Sequence, residues 1–433
     1  MAMDGKELVE KLAKLSQVQS IKDIPQLTHA LFPGTHCPLM GAAMAVGGIK
    51  DSLIVVVGTD ECTYYTKSMT IHSEKFGGID GRCVSVVLDD HDVTFGSAEK
   101  VQEAFKEIIE EYRPQCVFLV TTCVIEIIGD DFDAISEGLS KLYGIPVLPV
   151  HTEHFKCEDH LPGLERTITV CAEMMKSCDC ENSVNLLGQR MGDFATTELY
   201  AMLQKAGVKI GLQLPCGCSV DDIKNAAAAK VNIVVNDIAL PLAQKMQEKF
   251  GIPYVYFNKF VIPEKIYEAY KNLFVYLDLE LPGELEGLYQ NAREKIEKNK
   301  GELEGITYIY GNTPYAVFEM NCFLSSLGMV PQVIQTNRYT EADEPYAKEI
   351  LQYTDPYVCK AANIAPLQYV YDVLSPYLYL GHEFGNRLRQ KGIAIVHSDR
   401  ASGMLGFEVT GYLLQQLVKS VREAKEYRKE LGL

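Results

Sequence analysis

The sequence predicts an α/β chain of three doubly wound parallel-sheet domains closed by a carboxyl-terminal helix. Two observations lead there. Short β-branched, apolar runs alternate with stretches of helical periodicity along nearly the whole chain. The runs are apolar throughout rather than every second residue, as strands covered on both faces are. This alternation restarts twice, dividing the 433 residues into expected units at 1–170, 171–300 and 301–433.

In order, the amino-terminal MAMDGKELVEKLAKL reads as a charged amphipathic helix. The first series has expected strands at Leu53–Val57, Cys83–Leu88, Cys116–Thr121 and Pro146–Val150. Between the second and third, Val101, Ala104, Phe105, Ile108, Ile109 and Tyr112 fall on one helical face. The second series has strands at Ser183–Leu187, Val208–Leu212, Val231–Val235 and Pro253–Phe257, with helices near 194–206, 220–229, 239–250 and 264–277. An acidic linking helix follows (ELPGELEGLYQNAREKIEKNKGELEG). The third series opens at Ile306, has a middle strand near Val330–Gln335 and closes at Ile393–His397. Residues 405–431 read as an amphipathic helix with Lys and Arg toward its end, where the dipole favours them.

Composition excludes several classes. Against 58 acidic residues stand 41 basic ones, a net charge of −17, and no basic cluster interleaved with aromatics offsets it, so nucleic-acid binding is not expected. No apolar run approaches the ~18 residues of a membrane span. The amino terminus carries neither a signal core nor a transit pattern, so a cytoplasmic location is expected.

Thirteen cysteines, an odd number in a long chain, argue against a disulfide framework. They are either buried small hydrophobes or soft-metal ligands. In open α/β sheets ligands collect beyond the carboxyl ends of strands. By that rule Cys62 (GTDECTYYTKS), Cys123 (TTCVIEIIGDD) and Cys37 (LFPGTHCPLMGAA) meet at one edge of the first sheet, on loops rich in Gly and Thr. That setting suits an iron–sulfur cluster, although three buried hydrophobes would read the same way. Zinc fits less well, because no Cys-x-x-Cys pair occurs.

Three segments, GTHCPLMGAAMAVGGIKD, GTDECTYYTKS and TTCVIEIIGDDFDAI followed by PVLPVHTEHF, resemble the component 1 superfamily of nitrogenases. The Cys37–Cys62 spacing of 25 and the Cys62–Cys123 spacing of 61 are close to the pattern of the family's P-cluster cysteines. The resemblance implies a Rossmann-like three-domain fold. It also implies that Cys37, Cys62 and Cys123 bind an iron–sulfur cluster, 4Fe-4S or P-cluster-like, at an interface with a homologous or identical subunit in a dimer or heterotetramer. The chain lacks GxxxxGK[ST] and a strand–GxGxxG–helix element. In the family a separate P-loop ATPase Fe-protein reductase handles ATP and delivers electrons.

The family holds its second metallocluster with one Cys and one His. Here His397 matches the His, but Asn236 stands at the Cys position, and a neutral amide is a poor iron ligand. Leu164 occupies a position that is His in dinitrogenase, with His160 nearby. Both departures argue against dinitrogen as substrate and leave open a pocket for an organic one. Cys216 and Cys218 (LPCGCSVDD) are candidate replacement ligands or incidental thiols of a turn, with Ser219 an expected helix cap. His151, His154, Cys157 and His160 form a polar loop after a strand end. Cys178 and Cys180 read as surface thiols, and Cys83, Cys116, Cys171, Cys322 and Cys359 as core or helix positions. Asp130–Asp131 reads as a helix cap. The expected function is that of a nitrogenase-like oxidoreductase subunit, with a scaffold for nitrogenase cofactor assembly as the alternative.

Overall fold

The computed structural model describes residues 4–27, 37–71, 82–157, 159–190, 192–311, 313, 315–360 and 364–433. Three parallel sheets follow one another along the chain. The amino-terminal segment departs from the expected single helix. Its helix is confined to Gly5–Glu10, and Ala13–Lys14 form strand β1. β1 pairs antiparallel with a strand of the last sheet, Ala13 opposite Val358, and that pairing pulls the chain out of helical geometry.

The first unit contains β2 (Ile49–Lys50), β3 (Ser52–Gly58), β4 (Cys83–Val87), β5 (Cys116–Val120) and β6 (Val147–Val150). Its sheet runs β4-β3-β5-β6, all parallel. β3 and β5 are fully buried, as their unbroken apolar sequences require. The second unit contains β7 (Glu181–Gln189), β8 (Lys209–Pro215), β9 (Cys218–Ser219), β10 (Ala229–Val234) and β11 (Tyr254–Tyr256), with sheet order β11-β10-β7-β8. The expected helix near 220–229 ends at Lys224 in the structure, and Ala229 already belongs to β10. Ser219 does cap that helix, accepting from the Asp222 amide while Asp222 returns a bond to the Ser219 amide.

The third unit contains β12 (Thr307–Tyr310), β13 (Val330–Gln335), β14 (Tyr357–Cys359), β15 (Leu378–Leu380) and β16 (Ala394–Val396). With β1 its sheet runs β1-β14-β13-β12-β15-β16. β14 and β15 are strands that sequence periodicity did not reveal. The final helix, Glu408–Leu431, buries Leu413, Leu414, Leu417 and Val421 against this sheet.

Helix Pro38–Gly47 lies buried between the first two sheets, and one apolar core joins β3 and β5 to β8 and β10. It touches helix Leu161–Val170 backbone to backbone. A Cβ on Gly41 would stand 1.9 Å from the His160 carbonyl oxygen, and one on Gly163 would stand 1.9 Å from that of Pro38. Among the described residues no helix is long and apolar enough to cross a membrane.

Candidate metal centre

The first sheet reverses its winding direction between β3 and β5, and the segments leaving these neighbours diverge and open a crevice. Cys62 and Cys123 lie there, on helices rather than on the expected loops. Cys62 is in the first turn of helix Asp60–Ile71, and Cys123 is the first residue of helix Cys123–Ile128. Cys37 is the residue that caps helix Pro38–Gly47. All three are half-buried. Each therefore sits where free backbone amides and the helix dipole favour a thiolate.

The structure brings two of the three near one another, the Cys62 sulfur lying close enough to act on the ionisation of Cys123. Burial pushes the Cys123 thiol above its ordinary pKa and the Cys62 sulfur adds to this, while the amides of Val124 and Cys123 oppose it. A thiol whose ionisation is opposed by burial and by a neighbouring sulfur gains most from a bound cation, which offsets both effects. Cys37 packs, as Cys62 does, against the large core between the first two sheets, and its sulfur does not come within 4.8 Å of both the others. The donor set is sulfur alone, which fits a soft iron–sulfur group.

Tight packing holds the corner. A Cβ on Gly58, at the end of β3, would lie 2.3 Å from Thr122 Oγ1, so the two cysteine-bearing segments leave no room for a methyl group. Glu126, one turn beyond Cys123, accepts from the Thr121 hydroxyl at 2.8 Å, the Thr152 hydroxyl at 3.1 Å and the Glu153 and His154 amides at 2.5 and 3.2 Å. One carboxylate thus ties the segment after β5 to that after β6. Asp130 and Asp131 are structural as expected. Asp131 accepts from the Ala134 amide, and Asp130 binds the Ser97 amide and hydroxyl.

The remaining sequence candidates separate. Asn236 follows β10 and spends its side-chain oxygen capping a short turn, accepting from the Ile238 amide at 3.2 Å. Cys218 lies in β9, paired with Ile49 and 1% exposed. Burial pushes its thiol up to about 12, so it is core packing and does not line a crevice. Cys216 follows β8, half-buried, and donates to the Arg190 carbonyl at 3.1 Å. His397 is exposed just beyond β16, at the sheet edge rather than at the point where the winding reverses. His160 precedes helix Leu161–Val170, half-buried. Cys178 and Cys180 are exposed; Cys116, Cys171, Cys322 and Cys359 are buried.

Sequence reasoning missed three charged groups that the fold takes partly or wholly out of water: Arg190, Lys259 and Glu319. Each is a lone ionisable residue in or beside an apolar segment, and that interruption was the available signal. It also missed Asp89, His91 and Asp92, whose ligand atoms lie within 4.8 Å of one another. Lys100 already bonds both carboxylates there, at 3.1 and 2.6 Å.

Comparison with known proteins agrees with this architecture. The family model described as nitrogenase component 1 type oxidoreductase matches residues 37–422. A nitrogenase iron-molybdenum cofactor biosynthesis protein NifE from Clostridium pasteurianum is 30% identical over 224 residues, 51% of this chain and 49% of that protein. The NifE of Rippkaea orientalis is 25% identical over 73% of this chain and 69% of its own. A nitrogenase molybdenum-iron protein alpha chain from Methanosarcina barkeri is 24% identical over 72% of this chain and 62% of its own. The match thus spans about half the length of the clostridial relative. A solved structure of nitrogenase Cp1 at pH 6.5 superposes with a TM-score of 0.75 at 14% identity, covering 92% of this chain and 94% of that one. Fold and family model agree, and the chain belongs to the nitrogenase component 1 type oxidoreductases.

Proposed function

We propose that the chain is a subunit of a nitrogenase-like oxidoreductase that holds an iron–sulfur cluster with Cys37, Cys62 and Cys123. The observation that carries this is the placement of Cys62 and Cys123, 61 residues apart in sequence, at helix starts on either side of the point where the first sheet reverses its winding, with the Cys62 sulfur acting on Cys123. When bound, such a group supplies one-electron transfer at low potential. The chain's own residues set the conditions. Three helix starts present amides to the sulfurs, Gly58 and Thr122 fix the separation of two of them, and Glu126 anchors the segment that carries Cys123.

Exposed apolar side chains flank these cysteines. Tyr64 is 73% exposed beside Cys62, Ile127 is 71% exposed beyond Cys123, and Phe155 is 69% exposed after β6. Such side chains favour cover by a second component 1 subunit, identical or homologous, which would also exclude water from the site. A P-loop ATPase reductase is the expected electron donor, and the cytoplasm the expected location. Two of the relatives are named as cofactor biosynthesis proteins, which favours a second reading as an assembly scaffold.

Iron and acid-labile sulfide measured after anaerobic purification test the proposal. Cys37→Ala, Cys62→Ala and Cys123→Ala are expected to lose both, and Cys178→Ala to retain them. Unchanged iron in all three variants would refute it. Transfer of bound cluster to an apo-dinitrogenase would select the scaffold reading.

A further inference from the structure

The second sheet holds two cations with no ion-pair partner, Lys259 buried and Arg190 half-buried. Its strands end side by side, and the residues that leave them are Arg190 after β7, Cys216 after β8, Asn236 after β10 and Lys259 after β11. Winding reverses between β7 and β10, so this edge opens toward the centre of the molecule. Lys259 is only 6% exposed, and the Arg190 Nη1 is sealed from solvent with no hydrogen-bond partner. Among the described residues neither side chain makes an ion pair or a side-chain hydrogen bond. The two sense each other directly. Burial, and then the Arg190 charge, hold the Lys259 ammonium down to about 8 from its ordinary 10.5.

Among the described residues no carboxylate pairs with either cation. Cys216 donates its S–H to the Arg190 carbonyl oxygen and is therefore in its neutral form. Asp159, the carboxylate that Arg190 senses, accepts from the Leu161 amide at 2.9 Å and forms no ion pair with it. Arg338, exposed after β13, adds a third positive charge at the rim. Buried charges persist where they are paired, and a planar guanidinium fork beside an ammonium matches the oxygens of a carboxylate or phosphate. We propose that this edge of the second sheet binds a small oxyanionic molecule, its carboxylate or phosphate oxygens seated between Arg190 and Lys259. This site does not depend on the thiol cluster. It assigns the crevice beside Asn236 to an anion.

Thermal unfolding of the anaerobically purified full chain provides the test, with inorganic phosphate and succinate as probes against chloride at equal ionic strength. One probe or both are expected to raise the unfolding temperature saturably by about 2 °C or more above chloride. The responding probe separates phosphate from carboxylate. Lys259→Met is expected to lose the response and, in chloride, to unfold no lower than the wild type, because it removes an uncompensated buried charge. Arg190→Gln is expected to lose the response as well. Iron content unchanged in Lys259→Met separates this outcome from failure of the cluster. The proposal is overturned if neither probe exceeds chloride, or if Lys259→Met responds like the wild type. It is also overturned if Lys259→Met unfolds lower in chloride.

Discussion

Replacing Gly58 by alanine perturbs the candidate centre through geometry alone. The added methyl would stand 2.3 Å from Thr122 Oγ1, 2.5 Å from its Cγ2 and 2.9 Å from its Cβ, whereas ordinary contact begins at 3.4 Å. Rotating Thr122 relieves the first two contacts but not the third, because Cβ does not move with χ1. Thr122 is 2% exposed, so its side chain has no free space to enter. The ends of β3 and β5 must therefore part by about 0.5–1 Å, which costs about 1–3 kcal/mol, as overpacking of tight cores does. Alanine gives back a few tenths of a kcal/mol by restricting the unfolded chain. The same displacement separates Cys62 from Cys123. Circular dichroism is the suitable probe of urea unfolding in a chain with no tryptophan, and it is expected to show a lower midpoint together with reduced iron content. Gly58→Ala/Thr122→Ala, which removes the Oγ1 and Cγ2 contacts, is expected to recover part of both losses. An unchanged midpoint with full iron in Gly58→Ala would refute the account of how the two cysteine-bearing segments are held.

Three further outcomes follow from the structure. Glu126→Ala leaves two hydroxyls and two amides without their shared acceptor and is expected to destabilise by about 2 kcal/mol in urea unfolding, with Glu126→Gln costing less. Glu319 is 4% exposed, and burial raises its carboxyl from 4.5 to about 7. The folded chain therefore keeps a proton that the unfolded chain releases above pH ~4.5, so stability falls as pH rises toward 7, by roughly 3 kcal/mol in total. Glu319→Gln is expected to flatten that slope and to be the more stable form at pH 8, and parallel slopes would contradict it. Iodoacetamide applied to the native protein is expected to label Cys178 and Cys180 and to spare Cys116, Cys171 and Cys359, as read by peptide mass mapping.

The central strands were legible because each is a continuous apolar run. Strands such as β14 and β15 were not, being three residues long with a tyrosine each, too short to carry a period. The amino-terminal segment misled for a related reason. Its charge pattern is helical, but a pairing partner more than 340 residues away decides residues 13 and 14. Around the thiols, sequence placed Cys37 just before a helix, where it lies, and Cys62 and Cys123 on loops after strand ends, where glycine and threonine hid that both lie at helix starts. Arg190 and Lys259 were invisible as a pair because burial of a lone cation is decided by four strands ending together, which no local window contains.

The pairing of β1 with β14 also bears on synthesis. Residues 13 and 14 leave the ribosome more than 340 residues ahead of their partners Tyr357 and Val358. The edge of the last sheet therefore closes only after all the intervening residues have emerged, and the loop joined at that step is a very long one. Nascent chains stalled before residue 357 must hold Leu8, Leu12 and Leu15 without their native neighbours, which makes this stretch a natural landing place for chaperones during translation.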